Sequence, residues 1–577
     1  MEDRSVWMAR RCGVNYTELA GKLNIDPVVA RVLACNLSGA DPKAIRLYLE
    51  GDMDDLQAPE TIRELPQAAG LLKRKCAEKK KIRIIGDYDA DGICSSAILM
   101  KVLTSVGADV SFSIPDRIMD GYGMNVRMIR QAQEDGIDTI LTCDNGISAE
   151  EAVRAAKTAG MTVIVTDHHE LPVKDGLSQR PDADVVVDCR RPDETAEFRD
   201  YCGAALCFQL ARMLTDDRKL LSELACLASV ATVTDVMPLI KDNRILVKYG
   251  LAHLPVTENQ GLQALYDSSG ITGRAFTSYI LGFVIGPCLN ASGRLASADI
   301  AVRLLLTRDR AEAAELAGML HDLNDQRKDM TKKQTEAALE LVRKKDINRN
   351  PVLVLHLPDC PEAVAGIVAG RVKEFCYRPT LVIVDTDNGA KGSGRSIEGY
   401  DMFREMSRVR DLFTAFGGHP KAAGFSLPVK NIAELEKRLN RQQTMTQREL
   451  TEVTRVDPLN MDYSGMRAVA RQIGLLEPFG ESNAAPFFAD RGLYVADTKV
   501  YGRKRNVCDI TLLTARGNTI HAKMFGSEGF NSGQDLPVSG STIAACYEPS
   551  LNEYQGRESL QLVIRKFKTL NPRTSSS

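Results

Sequence analysis

The sequence predicts a multidomain α/β protein: a domain built on a mostly parallel sheet, a smaller α/β domain reached through one long helix, and a C-terminal β-barrel of the OB type. Three observations carry this. Apolar runs of strand length alternate with helical spacing from residue 81 to about 235, a charged helical pattern runs from 309 to about 345 with no Gly or Pro after Gly318, and five short β-prone runs follow residue 492. At 577 residues the chain is too long for one ordinary core.

Taken in order, residues 1–78 form an expected N-terminal helical arm, with helical patterns at 27–35 and 42–49 and a basic approach, Lys73-Arg74-Lys75 and Lys79-Lys80-Lys81. A catalytic domain is expected over 79–308, with strands at 82–86, 109–114, 138–143, 161–166 and 184–187. The connecting helix occupies 309–348. A second α/β unit over 349–445 begins with the strand 352–355, the helix 363–375 and the strand 380–384. Two segments rich in small residues follow, Lys391–Ser396 and Phe416–Gly424, and both read as loops that suit phosphate or sugar contacts. Over 446–570 the β-prone runs 492–500, 507–513, 519–525, 541–547 and 559–567 fit a nucleic-acid-binding barrel, with Tyr501, Arg503, Lys504, Arg505, Lys523 and Phe525 as candidate contacts. Residues 571–577 read as a disordered tail.

Composition narrows the class. A net charge of −2 excludes a protein that is basic all over, but a local groove of Arg and Lys can still bind phosphates. The 14 cysteines contain no CxxC pair, so they read as small buried side chains in a reducing compartment. No apolar run approaches the roughly 20 residues that span a bilayer, and Met1 to Arg11 lack a signal-peptide core. A cytoplasmic protein with no membrane association is expected.

The chemistry concentrates where the first strand ends. Ile82-Arg83-Ile84-Ile85 runs into Gly86-Asp87-Tyr88-Asp89-Ala90-Asp91-Gly92, placing three carboxylates at alternate positions at a strand edge. Such a cluster is costly unless a cation sits among the charges. The next strands also end in polar groups: Asp144-Asn145-Gly146, then Asp167-His168-His169, then Asp188, and a helical pattern from 221 to 234 delivers Asp235. Ligands of parallel sheets bind at this edge. Carboxylates with imidazole suit Mn²⁺ or Mg²⁺, and two such cations support phosphoryl transfer to water. Asp188 reads as a turn residue.

These motifs, DYDADG at 87–92, DNG at 144–146, DHH at 167–169 and Asp235, resemble the four sequential motifs of the DHH phosphoesterase superfamily, and GDYDADG with TDHHE is most similar to its RecJ branch. The resemblance implies a DHH domain, a DHH-associated domain and a two-metal site with Asp89, Asp91, Asp144, His168 and Asp235 as ligands. It places Asp87 and His169 in matching positions, as further ligands or as holders of the scissile phosphate. Asp167 reads as a partner that orients an imidazole, since a ligating histidine usually donates its other N–H to a carboxylate or carbonyl. It further implies that Arg117, in the loop after the second strand, and Arg294, in Asn290-Ala291-Ser292-Gly293-Arg294, face the 5′ end of the substrate, with Ser393, Arg395 and His419 as substrate contacts. Arg371 and Arg378 read as structural or peripheral.

The expected function is metal-dependent 5′ to 3′ hydrolysis of single-stranded DNA to mononucleotides in DNA repair and recombination, by a monomer that works with a single-strand-binding protein and a helicase. Two alternatives stand beside it. One is a phosphodiesterase of short oligoribonucleotides or cyclic dinucleotides, against which the C-terminal barrel speaks. The other is a non-catalytic single-strand-binding scaffold, against which the complete acidic set speaks.

Overall fold

The computed structural model describes all residues except 1–4, 118, 175, 272–275, 388, 459–464, 504, 515–516, 527–535, 555–556 and 571–577. Lys504 and the expected tail at 571–577 therefore lie outside the described residues. Contacts divide the chain into two compact units, one of residues 50–444 with 480–483, the other of residues 1–49, 445–479 and 484–577.

In the larger unit, five strands form a parallel sheet in the order Asp109–Ser113, Lys81–Ile85, Thr139–Thr142, Thr162–Asp167, Val185–Asp188. The strands Thr139–Thr142 and Val185–Asp188 are buried along their whole length, which is why they read as unbroken apolar runs. On one face Ile140 and Val163 pack with Ile129 and Val153 from the helices Val126–Glu134 and Glu150–Thr158. All but Ile129 are fully buried, and each contributes roughly 1.5–3 kcal/mol. The helix Ala90–Ser105 is buried over most of its surface and packs against the helices Gly203–Leu214 and Arg218–Thr234.

The helix Arg310–Arg343 leads to a second sheet ordered Ala415–His419, Ala422–Leu427, Gly389–Arg395, Thr380–Thr386, Leu353–His356, in which only the last pair is parallel. The two segments expected as loops are strands. Glycine is poor in strands on propensity grounds, but the ring of Phe425 lies across its partner Gly392, where a Cβ would come within 2.2 Å of Cζ. The small residues make room for a neighbouring ring as well as for a ligand.

The segment Asn290–Arg294 (NASGR) belongs to a helix, Gly286–Leu295, and Gly293 permits a close approach to the backbone of Tyr88, whose carbonyl oxygen would stand 2.0 Å from an added Cβ.

The smaller unit joins both ends of the chain. The strand Val6–Ala9 pairs in parallel with Val453–Pro458, and Val29 and Leu33 of the helix Pro27–Asn36 share a core with Val469, Phe488 and Tyr547. The expected arm at 1–78 is thus divided: residues up to 49 use this core, while the helix Leu65–Ala77 packs with the parallel-sheet unit. The strands Phe488–Tyr501, Val507–Leu513, Thr519–Phe525, Thr542–Tyr554 and Arg557–Thr569 follow the five predicted runs, and their pairings form a circuit that returns to the first strand. Tyr501, Val507 and Phe525 are aligned across three strands, with Tyr501 and Phe525 exposed, and Lys523 stands opposite Asp509. Arg503 and Arg505 are exposed in the turn beyond Tyr501.

Candidate metal centre and substrate cleft

The strand Lys81–Ile85 delivers Asp87, and the chain then turns so tightly that a Cβ on Gly92 would stand 2.5 Å from the backbone of Asp87. Asp89 caps the following helix, its Oδ1 accepting from the N–H of Asp91 at 3.0 Å and of Gly92 at 3.2 Å. Asp91, buried in the first turn, accepts from the N–H groups of Gly203 at 2.6 Å and Ala204 at 2.7 Å, so the start of one helix holds a carboxylate of another.

The neighbouring strand brings Asp144, a non-glycine residue held at φ +61°, which fits the strain found at functional sites. Its Oδ1 lies 3.0 Å from Nε2 of His168, and that same nitrogen is 3.5 Å from Asp91 and 3.8 Å from Asp235. Asp235 caps the C-terminus of the helix Arg218–Thr234. Asp167 orients both histidines: its Oδ1 accepts from the N–H of His168 at 2.8 Å and bonds Nδ1 of His169 at 2.8 Å, while Oδ2 accepts from the N–H of Ile147 at 2.9 Å. All seven predicted carboxylates and imidazoles therefore meet at one sheet edge. Their ligand atoms fall into three overlapping groups, Asp144–His168–His169, Asp91–His168–Asp235 and Asp87–Asp89–Asp144, each within 4.8 Å.

The electrostatics fit a cation. Burial, then Asp89, pushes the carboxyl of Asp87 well up, and burial, then Asp91, Asp89 and Asp87, does the same to Asp144. Asp235 is pushed up to about 8 by burial and by Asp91 and Asp89. Oδ1 of Asp87 is buried with no hydrogen-bond partner among the described residues. Crowded oxygen donors, an imidazole and an unsatisfied buried carboxylate oxygen match the donor set of a hard divalent ion. Asp167 is the exception: burial opposes its charge, but His169 wins and its carboxyl stays below the ordinary value. Burial likewise opposes a charge on His169, and Asp167 overcomes it, raising the imidazole to about 9. Asp188 accepts from the N–H of Arg190 at 2.7 Å, but it is fully buried, its Oδ2 has no hydrogen-bond partner among the described residues, and burial, then Asp167, pushes its carboxyl up to about 8.

Beside this centre a cleft of about 950 Å³ is lined by Arg117, Tyr122, Arg294, Ser393 and Arg395. The Arg117 guanidinium stands 5.0 Å from the centre of the Tyr88 ring. Arg294 donates to the carbonyl of Ala363 at 3.1 Å, and Arg395 to Oγ of Ser393 at 3.0 Å. Burial, then the charges of Arg117, Arg327 and Arg395, brings Arg294 down to about 10. His419 does not line the cleft; it stands on the edge strand and its Nδ1 accepts from the N–H of Lys421 at 3.3 Å. Arg378 is buried and bonds the carbonyl of Tyr377, whereas Arg371, read as peripheral, also lines the cleft.

Three residues escaped sequence reasoning. Tyr122 donates to the carbonyl of Asp144 at 3.1 Å and reaches the His169 ring at 3.2 Å. Asn290 accepts from the N–H of Ala90 at 2.9 Å, tying the NASGR helix to the first motif. Gly203 abuts Asp144, where a Cβ would be 2.6 Å from the Asp144 Cβ. The loop after a strand hinted at Tyr122, but nothing local marks the other two, because their partners lie more than 50 residues away in sequence.

Family models match three stretches of the chain: the DHH family, N-terminal domain, over residues 81–232; the DHHA1 domain over 349–444; and the RecJ OB domain over 459–566. The chain is 34% identical over 555 residues to the single-stranded-DNA-specific exonuclease RecJ of Bacillus subtilis (strain 168), covering 95% of this chain and 68% of that one. The crystal structure of RecJ in complex with Mn²⁺ from Thermus thermophilus matches with a TM-score of 0.82 at 28% identity, covering 99% of this chain and 81% of that one. Its complex with Mg²⁺ matches with a TM-score of 0.76 at 26% identity, covering 99% and 79%. With likeness of this extent along nearly the whole length, and the DHH, DHHA1 and OB segments in that order, the chain belongs to the RecJ family.

Proposed function

We propose that the chain is a metal-dependent exonuclease that hydrolyses single-stranded DNA from the 5′ end to 5′-mononucleotides. The observation that carries this is the arginine-lined cleft opening beside the carboxylate–imidazole centre: Arg117, Arg294 and Arg395 can grip a terminal phosphate while the next phosphodiester reaches the carboxylates. The relatives' names as single-stranded-DNA-specific exonucleases support the substrate, and the Mn²⁺ and Mg²⁺ complexes support the ion.

In this reading Asp89, Asp91, Asp144, His168 and Asp235 hold two cations, Mn²⁺ or Mg²⁺, with Asp87 completing the set through its unpartnered oxygen. Bound there, the cations supply an acidified water and stabilise charge on the leaving oxygen. His169, held through Nδ1 by Asp167 and backed by Tyr122, donates to the scissile phosphate. Gly203 and Ala204 keep Asp91 in place, and Asn290 fixes the turn that carries Asp89. Ser393 positions Arg395, and His419 contacts the strand farther out along the sheet edge.

The RecJ OB match at 459–566 favours a long strand over a dinucleotide as substrate, since a dinucleotide needs no extended surface. Exposed Tyr501 and Phe525, with Arg503, Arg505 and Lys523, are the contacts proposed there. Removing single strands is a step in DNA repair and recombination, which is the role we assign, in the cytoplasm. Fourteen free cysteines, mostly buried, are consistent with a reducing compartment, and no helix among the described residues is long and apolar enough to cross a membrane. One chain supplies every residue of the centre and cleft, which supports a monomer as the working unit. An enzyme restricted to single strands depends on a helicase to open duplexes and meets strands coated by single-strand-binding protein.

The test is digestion of single-stranded DNA labelled at one end, with Mn²⁺ present. Label at the 5′ end is expected to appear first as mononucleotide, with 3′ label released last. Early release of 3′ label, or intact strands while dinucleotides disappear, contradicts the proposal.

A further inference from the structure

The cleft is longer than one phosphate needs. Along the helix Glu362–Cys376 it is lined by Ala363, Gly366, Ile367, Gly370, Arg371 and Glu374, one face of the helix, which at 1.5 Å per residue extends for roughly 16 Å. The two ends differ in what they carry. At the near end Arg294 bonds the carbonyl of Ala363, and Ser393 and Arg395 crowd Gly366, where a Cβ would meet both at 2.9 Å. Five residues on, about 7.5 Å along the axis, stands Arg371, exposed and, among the described residues, in no ion pair with a carboxylate.

Arg327 of the long helix lies within electrostatic reach of Arg371, its guanidinium held from one side by Oδ1 of Asn324 at 3.1 and 3.0 Å. Burial and then the charge of Arg371 hold Arg327 below its ordinary value, and Glu374 lines the same end of the cleft without an ion pair to either arginine among the described residues. Elsewhere in the cleft the balance is different: Lys391 is paired with Glu362 at 3.0 Å.

We propose that Arg371, backed by Arg327, forms a second anion subsite that receives the outer phosphoryl groups of a strand whose 5′ end carries a di- or triphosphate. The proposal rests on the reading that Arg117, Arg294 and Arg395 hold the 5′-terminal phosphate. A strand so held runs back from that phosphate to the carboxylates. The far end of the cleft then lies beyond the 5′ terminus, where no nucleotide follows and only further phosphoryl groups extend. Hydrolysis is unchanged in kind: water adds to the first internucleotide phosphorus and the bond from phosphorus to O3′ breaks. The terminal nucleoside leaves with a 3′-hydroxyl and its 5′-polyphosphate intact, and the shortened strand keeps the new 5′-phosphate.

Two measurements on the full chain test this. In calorimetric titrations of metal-free protein, wild type is expected to bind inorganic pyrophosphate at least tenfold more tightly than inorganic phosphate. Arg371→Ala is expected to bring the two within twofold while leaving phosphate affinity within twofold of wild type. Equal affinities in wild type, an undiminished preference in Arg371→Ala, or a parallel loss for both anions overturns the proposal. In digestion of a 5′-triphosphorylated strand, nucleoside triphosphate as the first product supports it. Nucleoside monophosphate first, or a triphosphorylated strand left intact while the monophosphorylated one is degraded, overturns it. A chain that degrades neither strand but keeps the Arg371-dependent preference refutes the nuclease reading alone and upholds the subsite.

Discussion

Gly203→Ala separates stability from catalysis at this centre. The new Cβ would stand 2.6 Å from Cβ, 3.0 Å from Cα and 3.1 Å from Cγ of Asp144, where ordinary contact begins near 3.4 Å. Relief needs a movement of about 0.8 Å, and only two routes exist. Either Asp144 shifts, taking the partner of His168 with it, or the helix Gly203–Leu214 retreats and withdraws the N–H groups that hold Asp91 at 2.6 and 2.7 Å. Each route displaces a carboxylate of the centre by nearly 1 Å, an error that costs about 100-fold in rate. The fold should survive, because overpacking costs about 1–3 kcal/mol against a total of roughly 5–15 kcal/mol. The assay is strand digestion under Mn²⁺ beside a thermal melt. A folded variant with a rate about 100-fold lower is expected; a rate within twofold of wild type refutes the claim that Gly203 sets the carboxylate geometry.

The other predictions concern pH, the first motif and the cleft. Without metal, Asp235 has a folded pKa of about 8, far above the ordinary carboxylate, so its contribution to stability is full below pH ~4 and is lost as pH rises towards 8. His169, raised to about 9, adds a loss in the same direction between about pH 6.5 and 9. Melting of chelator-treated protein should therefore fall from pH 5 to 8.5, less steeply in Asp235→Asn, and added Mn²⁺ should stabilise more at pH 8 than at pH 6; a flat or rising profile contradicts this. Asn290→Ala removes the acceptor for the N–H of Ala90 and should cost about 1 kcal/mol in denaturant unfolding and at least tenfold in rate, with Asn290→Asp largely restoring both. Arg294→Lys keeps the charge but loses the planar fork, so the preference for 5′-phosphorylated over 5′-hydroxyl strands should drop about tenfold in competition digests.

Much of the fold is written locally. The buried parallel strands are continuous apolar runs, and all five end within one residue of where periodicity puts them, so the acids and histidines that follow them in sequence are necessarily brought to one edge. In the C-terminal region the strands Val507–Leu513 and Thr519–Phe525 are equally plain, because their buried positions alternate with more exposed ones between turn residues. What stayed hidden depends on packing between distant segments. Gly389–Arg395 reads as a loop because glycine disfavours strands, and only the ring of Phe425 on the paired strand explains why glycine belongs there. Asn290, Gly203 and Arg371 act on or beside groups reached only through the tertiary fold, so no spacing rule singles them out. The division of the first 78 residues between two units likewise follows from where Val29 and Leu33 find a core.

The central claim is that the acids and histidines at the sheet edge bind the catalytic cations. Its most direct measurement is the number of Mn²⁺ ions bound per chain at equilibrium, in wild type and in Asp144→Asn, which removes a carboxylate shared by two of the three ligand groups. Two ions in wild type and at most one in Asp144→Asn, with strand digestion lost in parallel, are the predicted result. Unchanged binding in the variant, or no binding by wild type at millimolar Mn²⁺, would contradict it.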